Sequence, residues 1–151
     1  MAAQSHPNVL FAGEFRHTLD NKNRITIPSR WRSGDADDFF AVPDQSNSCL
    51  SVMPPAAFEA VRGKVLASTS ISAAEQRIFI RQFYGRAKTV TSDKQGRLLL
   101  PEEQCRQVGL AGDVVLVGTH DRFEIWNPDR WDRFNSDYAD LYRRVADSAG
   151  L

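Results

Sequence analysis

The sequence predicts a β-rich α+β fold, a pseudo-symmetric barrel built from two tandem copies of one unit and flanked by helices. Three observations carry this expectation. The chain matches itself at one offset of 73 residues, taken from Asp20 and Asp93. Each copy shows a strand, a tight polar turn and a returning strand that ends at a proline, and amphipathic helices follow each copy. At the shared offset Thr18 meets Thr91, Arg24 meets Arg97, Pro28 meets Pro101 and Pro55 meets Pro128. Similar side chains keep the register: Phe11 with Tyr84, Ile25 with Leu98, Ile27 with Leu100, Val42 with Val115, Leu50 with Phe123, Val52 with Ile125, and Phe58 with Trp131. A unit of about 45 residues buries too little apolar surface to fold alone. The two copies must therefore complete one core together, within one chain or by exchange between chains.

In chain order, residues 1–10 read as an N-terminal extension without structure of its own. The first unit spans 14–57, connecting helices 58–86, the second unit 87–130 and a C-terminal helix 131–151. Strands Glu14 to Leu19 and Arg86 to Ser92 lead into the turns. Arg24 to Ile27 and Arg97 to Leu100 return from them, and Pro28 or Pro101 then opens a short helix, since a missing N–H costs nothing at the first helical position. Gly109 stops the second of these after Val108. Phe39 to Val42 pairs with Cys49 to Met53 across Asp44-Gln-Ser-Asn47. Val114 to Gly118 pairs with Phe123 to Trp126 across Thr119-His-Asp-Arg122. After Pro55, Phe58, Val61 and Val65 form a helical stripe. Ser72-Ala-Ala-Glu75 is a capping box opening a helix that carries Ile78, Phe79 and Phe83. Asn127 caps a last helix whose stripe is Trp131, Phe134, Tyr138, Leu141, Tyr142 and Val145. The spacing of Trp126 and Trp131 predicts core packing rather than base stacking.

Lys+Arg and Asp+Glu both total 19, so no bulk basicity advertises a nucleic-acid partner, and placement of charge has to decide. Cys49 and Cys105 have no metal spacing and read as small buried hydrophobes in a reducing compartment. The opening Met-Ala-Ala-Gln-Ser-His-Pro lacks the charge and apolar core of a signal peptide, and no run approaches the roughly 18 apolar residues of a membrane span. The expectation is a cytosolic protein. His6, His17 and His120 are scattered without metal spacing, and there is no nucleophile elbow or phosphate-binding glycine loop. His17 alternates with Phe15 and Leu19 on its strand, which is a packing or surface position. No catalytic residue, metal, cofactor or small-molecule substrate is expected, and the chain is not read as an enzyme.

Asp20-Asn-Lys-Asn-Arg24 and Asp93-Lys-Gln-Gly-Arg97 are the most distinctive stretches. An Asp opening a tight turn accepts backbone N–H bonds two residues on. Gly96 tolerates positive φ, and Asn23 is the next-best residue for that duty. Asp20, Asn23, Asp93 and Gly96 thus shape loops that project Arg24 and Arg97 from rigid bases. Taken alone, each turn reads first as an Asp–Arg pair that only stabilises a hairpin, and duplication does not overturn this, since a structural turn would also duplicate. The surrounding charge tips the balance. From Glu14 to Gly34, Arg16, Lys22, Arg24, Arg30 and Arg32 oppose Glu14 and Asp20, a net +3. From Arg81 to Arg97, Arg81, Arg86, Lys88, Lys94 and Arg97 oppose Asp93, a net +4. Acid gathers at Asp35, Asp37 and Asp38 and along the C-terminal helix at Asp129, Asp132, Asp137 and Asp140. A neutral chain polarised this way suits a DNA-facing surface.

The run Phe11-Ala-Gly13 … His17-Thr-Leu-Asp20-Asn-Lys22-Asn-Arg24-Ile-Thr-Ile-Pro28 resembles the opening of MraZ proteins, bacterial transcriptional regulators built from two AbrB/SpoVT-type units with an Asp-x-x-x-Arg signature in each. Asp93-Lys-Gln-Gly-Arg97-Leu-Leu-Leu-Pro101, Gly112-Asp-Val-Val-Leu-Val-Gly118 and Phe123-Glu-Ile-Trp126 resemble the second unit. The resemblance runs from Phe11 into the C-terminal helix. Asn23 stands where the family has Gly, and Gln95 where it has Lys. The resemblance implies a swapped-hairpin barrel, a homo-oligomeric ring, and binding to short G-rich direct repeats in double-stranded promoter DNA upstream of the division and cell-wall gene cluster, hence a place in the cytoplasm at the nucleoid. It also implies that the two Asp-x-x-x-Arg loops face DNA. Arg24 and Arg97 would then read guanine in the major groove, while Lys22, Lys94, Arg16, Arg86 and Lys88 contact phosphates. The rival reading is a protein-interaction ring or scaffold without sequence-selective DNA binding. An RNA module is weaker, since no RNP-like aromatic run or GXXG loop is present.

Overall fold

A computed structural model of the chain describes residues 9–151. Most of the extension read over residues 1–10, His6 included, lies outside the described residues. Of its described part, Val9 packs against the core and Leu10 is exposed. Among the described residues eight strands form: β1 (Glu14–Thr18), β2 (Arg24–Thr26), β3 (Asp38–Pro43), β4 (Cys49–Met53), β5 (Lys88–Thr91), β6 (Arg97–Leu99), β7 (Asp113–Gly118) and β8 (Phe123–Trp126). Four α-helices accompany them, α1 (Pro55–Ala67), α2 (Ala73–Arg86), α3 (Glu102–Gln107) and α4 (Pro128–Ser148).

The short helix expected after each turn-and-strand differs between copies. After Pro101 it is α3, with Glu102 and Glu103 in the first turn and Arg106 bonded to Glu102 one turn on. After Pro28 there is only a single 3-10 turn, Ser29–Trp31, with no acid in it. Its indole is drawn into the core, where Trp31 donates to the Ala12 carbonyl at 3.2 Å and meets Phe11, Phe15 and Phe123.

The sheet is where the sequence expectation changes most. Beyond the turn itself, and a single Ser92–Leu98 bridge in the second copy, the strands flanking each Asp-x-x-x-Arg turn part from one another, so neither turn closes a regular hairpin. The six-stranded sheet runs β1-β7-β8-β4-β3-β5, antiparallel throughout, and β2 pairs only with β6 in a separate two-stranded ribbon. Replacing each strand by its repeat partner turns the order into its own reverse, so a pseudo-two-fold axis passes between β4 and β8. Each copy keeps its β-hairpin (β3–β4 or β7–β8) and gives its first strand to the other copy: β1 to β7, β5 to β3. By hydrogen bonding the large sheet is open, with β1 and β5 at its edges, so its strands alone do not show the expected barrel.

The single offset also slips locally. Across the first β-hairpin turn the last paired residues are Pro43 and Leu50, and across the second they are Gly118 and Phe123. The first turn is thus two residues longer, and the preceding crossover, Ile27 to Asp37 against Leu100 to Gly112, is two residues shorter. In space Val42 therefore corresponds to Val117, not to Val115 as the sequence offset suggests.

One core unites both copies: Ile25, Ile27, Phe39, Leu50 and Val52 from the first, and Leu98, Leu100, Val108, Leu116, Phe123 and Ile125 from the second. Cys49 and Cys105 are free and buried, and burial pushes both thiols up. Residues 11–13 continue the β1 edge, with Phe11 and His120 exchanging backbone bonds and Gly118 donating to Gly13 at 2.9 Å. A Cβ on Gly118 would lie 2.5 Å from that backbone. Gly118→Ala is expected to cost about 1–3 kcal/mol by overpacking, lowering Tm by roughly 3–10 °C in a thermal melt.

The caps read from sequence are present: Glu75 N–H donates to Ser72 Oγ at 3.1 Å, Ser72 N–H to Glu75 Oε1 at 2.8 Å, and Asn127 Oδ1 accepts from Asp129 and Arg130 N–H. Trp126 is buried and Trp131 packs beside it over Cys49, Val115 and Val117. Phe134 continues this packing, stacking on Trp131 and touching Trp126, but among the described residues no other element covers the rest of the α4 stripe. Phe134, Tyr138, Leu141, Tyr142 and Val145 are all exposed, Tyr142 to 75%. On α2, Phe83 stacks on Phe58, whereas Ile78 and Phe79 face outward.

Candidate nucleic-acid interface

The two turns are built bond for bond alike. In the first, Asn23 N–H donates to the Asp20 carbonyl at 3.1 Å, Asp20 N–H to the Arg24 carbonyl at 3.0 Å, and Asp20 Oδ1 accepts from Lys22 and Arg24 N–H at 2.8 and 2.9 Å. In the second, Gly96 donates to Asp93 at 2.9 Å, Asp93 to Arg97 at 2.9 Å, and Asp93 Oδ1 accepts from Gln95 and Arg97 N–H at 3.0 and 2.9 Å. Both need a residue in the left-handed region before the arginine, and Asn23 takes φ 60° where Gly96 takes 79°. Asn23 thus supplies the geometry expected of it, and the turns do not diverge.

The remaining carboxylate oxygen holds the arginine. Arg24 Nε donates to Asp20 Oδ2 at 2.7 Å, and Arg97 Nε to Asp93 Oδ2 at 2.8 Å. The intraturn ion pair is therefore real, yet it occupies only one edge of each guanidinium. Among the described residues no side-chain hydrogen bond engages the Nη atoms of Arg24 or Arg97. Each keeps an open two-nitrogen fork on a side chain about one-third exposed.

The same bonds bias the carboxylates. Asp20 is lowered to about 2, chiefly by the Arg24 backbone N–H, and Asp93 is lowered chiefly by that of Arg97. A depressed carboxylate contributes stability that is complete above its unfolded value, near 4, and is lost as pH falls through its folded value. Both turns should hold their shape at pH 5, and the contribution of Asp20 should fade between about pH 4 and 2. In Asp20→Asn that segment of the acid slope should flatten in a Tm-versus-pH series.

Strands β2 and β6 set the turns side by side. Arg24 lies opposite Leu99, Ile25 opposite Leu98, and Thr26 opposite Arg97. Bonds from Ile27 N–H to the Gly96 carbonyl (2.8 Å) and from Leu100 N–H to the Asn23 carbonyl (2.9 Å) tie each strand end to the other copy's turn. Ile25 and Leu98 point into the core, while Arg24, Thr26, Arg97 and Leu99 share the outer face. Lys22 and Lys94 are exposed on the turn tips.

The other basic residues read from sequence sit elsewhere. Arg16, mid-β1, is bonded to Asp132 of α4 at 2.9 Å and lies near Glu14, so its charge is already paired. Arg86 ends α2 and lines a cleft with Val42, Met53, Phe79 and Phe83, and Lys88 begins β5. Arg32, in the basic stretch from Glu14 to Gly34, joins the site from outside the turns. Its guanidinium crosses to the second copy's turn, so close to Gly96 that a Cβ there would stand 2.2 Å from Arg32 Nη1. The only sequence signal for this was its place in the basic run. Among the described residues no cluster of His, Cys, Asp or Glu could hold a metal ion, and no helix is long and apolar enough to cross a membrane.

The family described as "MraZ protein, putative antitoxin-like" matches residues 10–82 and again residues 83–149. The chain belongs to the MraZ family. The two MraZ matches start 73 residues apart, the offset of the internal repeat. A relative in Symbiobacterium thermophilum named transcriptional regulator MraZ is 38% identical over 139 residues, which span 92% of this chain and 99% of that one. A second of that name, in Desulforamulus reducens, is 36% identical over 92% of this chain and 96% of its own. In Natranaerobius thermophilus a third is 33% identical over 91% and 95%. MraZ likeness thus extends over both turns, the ribbon and most of α4.

Proposed function

We propose that the protein is a sequence-specific, DNA-binding transcriptional regulator that reads short G-rich direct repeats through the β2–β6 ribbon, as its relatives' name and the MraZ resemblance suggest. The observation that carries this reading is the pair of identical turns, each clamping an arginine by Nε and leaving its Nη1/Nη2 fork open, on one outward face. A fork of that kind bonds bidentately to guanine O6 and N7, and the major groove accepts a two-stranded ribbon. Asp20 and Asp93 aim the arginines. They accept every N–H they face, and this keeps their charge directed into the turn and away from phosphate. Lys22 and Lys94 contact phosphates beside the read bases, with Arg32 between the turns, while Lys88, Arg86 and Arg16 reach only more distant backbone. On this reading 14–57 and 87–130 act as two DNA-facing units, joined by 58–86. The ribbon lies over the open side of the sheet as the lid of a swapped-hairpin barrel, its Ile25, Ile27, Leu98 and Leu100 sharing the sheet's core.

We also place the protein in a homo-oligomeric ring. Helix α1 is the repeat partner of α4, Phe58 matching Trp131, and α1 is backed by α2: Tyr84 Oη donates to the Phe58 carbonyl at 2.9 Å and Phe83 stacks on Phe58. Among the described residues helix α4 has no such backing helix, and α2 keeps Ile78 and Phe79 exposed. The α2 of a neighbouring copy supplies what α4 lacks. Such a head-to-tail contact uses two different surfaces and closes into a ring when the rotation permits. Tandem repeats and a ring match one another, because each engaged protomer raises the local concentration of the next. The target is the promoter of the division and cell-wall cluster, and the site of action the cytoplasm at the nucleoid.

The test is a titration against duplexes carrying G-rich direct repeats or the same bases scrambled, at several salt concentrations. Preference for the repeats with affinity falling steeply as salt rises supports the regulator. Equal, weak binding to both would sink it and leave the interaction ring as the function.

A further inference from the structure

The ribbon face holds four side chains, and two of them are not cations. Along β2 the outward residues are Arg24 and Thr26; along β6 they are Arg97 and Leu99. Register places Leu99 directly across from Arg24 and Thr26 across from Arg97, so cation and methyl-bearing side chain alternate at the corners of a small rectangle. Its sides are about 5 Å across the strands and 7 Å along them, or one to two stacked base steps of about 3.4 Å each.

A scattered surface leucine needs no account. This one is 59% exposed between the two forks of a basic face whose inward neighbours, Leu98 and Leu100, fill the core. Its repeat partner at the 73-residue offset is Thr26. The pseudo-two-fold axis relates Arg24 to Arg97, so two arginines alone would read a site equally well in either orientation. Direct repeats have a polarity, and so does a head-to-tail ring. Something has to break the symmetry. At the turn tips Lys22 matches Gln95 and Asn21 matches Lys94, positions that face phosphate, and on the ribbon face that meets base edges the Leu99/Thr26 pair is the one difference. Leucine offers only apolar surface. Threonine offers a smaller methyl and a hydroxyl that can bond to several bases.

We propose that Leu99 packs on the C5-methyl group of a thymine next to the guanine read by Arg24, and that this contact sets the orientation of each protomer on its repeat. The inference rests on the DNA-binding reading and adds to it a base identity and a direction. In B-DNA the thymine methyl is the one apolar feature of the major-groove edge, and Leu99 is the one purely apolar side chain on this face. On the same face, across from Arg97, Thr26 tolerates more than one base.

The test removes only the methyl. G-rich direct-repeat duplexes are made with thymine flanking each guanine run on both sides, and thymines are replaced by deoxyuridine at one flank at a time. Binding by the whole protein is measured by fluorescence anisotropy. The expected result is a loss of about five- to ten-fold for uracil at one flank and little at the other. Leu99→Ala should bind the thymine duplex as weakly as the parent binds the uracil duplex and show no further loss on uracil. Leu99→Met should retain the thymine preference. Each variant's melting curve is compared with the parent's. Equal tolerance of uracil at both flanks by a protein that still prefers the guanine repeats would overturn the role of Leu99 while leaving the regulator standing. No preference for guanine repeats at all would remove both.

Discussion

Arg24→Ala should reduce binding to the guanine repeats to the level of scrambled DNA while leaving the fold intact. One bidentate arginine–guanine pair is worth about 1–3 kcal/mol of discrimination. In an assembly the contact is lost from every engaged protomer at once. A loss of about a hundred-fold or more is therefore expected, well beyond the value of one contact. The ion pair to Asp20 is partly exposed, and such pairs add little to folding, so Tm should move by only a few degrees. Arg24→Lys should restore little, because a lysine ammonium has no second donor edge to present once the first is held by Asp20. Arg97→Ala should behave like Arg24→Ala. Parent-like affinity in either variant by anisotropy would show that the turns do not read bases.

The second large effect is expected on α4. Leu141→Asp or Tyr138→Asp puts a charge in the exposed stripe without touching Trp131, Trp126 or the ribbon. Light scattering should show the assembly falling to smaller species. Affinity for a tandem array should drop by about 10²–10⁴, the gain that linkage supplies, while affinity for a single repeat stays near the parent's. An unchanged mass in both variants would mean that α4 is not the contact between copies.

How far the sequence reveals this molecule depends on which interactions are local. Both turns were legible because their chemistry lies within five residues: the Asp carboxylate, the left-handed Asn23 or Gly96, and the arginine that follows. The caps at Ser72 and Asn127 were legible for the same reason. Strand neighbours were not. Alternation tells which face of β1 is buried but not whether its partner is β2 or β7, so the hairpin expected at each turn gave way to exchange between copies. The two-residue slip between β3 and β7 was hidden because Phe-Phe-Ala-Val and Val-Val-Leu-Val align almost equally well in either register. Amphipathic spacing showed that α4 has an apolar face and could not show that its own chain leaves that face uncovered. Within the candidate site, Arg24, Arg97, Lys22 and Lys94 lie together as the motif suggested. Arg32 escaped because its packing on Gly96 spans 64 positions of chain. Arg16 is tied to Asp132, 116 positions away.

The exchange of first strands also dictates an order of events at the ribosome. The β3–β4 hairpin is complete by Met53, and β5 can join it as soon as Thr91 emerges. Strand β1 is made first and waits longest for a partner, since Thr18 meets Asp113, 95 residues downstream. At about 5–20 residues per second the nascent chain carries an unpaired β1 for roughly 5–20 s. Its charged positions, Glu14 and Arg16, alternate with Phe15 and suit a strand that must stay in water during that interval without pairing with a neighbouring nascent chain. Synthesis that stops short of β7 would leave β1 permanently without its partner. The second copy is thus not a spare of the first but the template on which the oldest part of the chain finally folds.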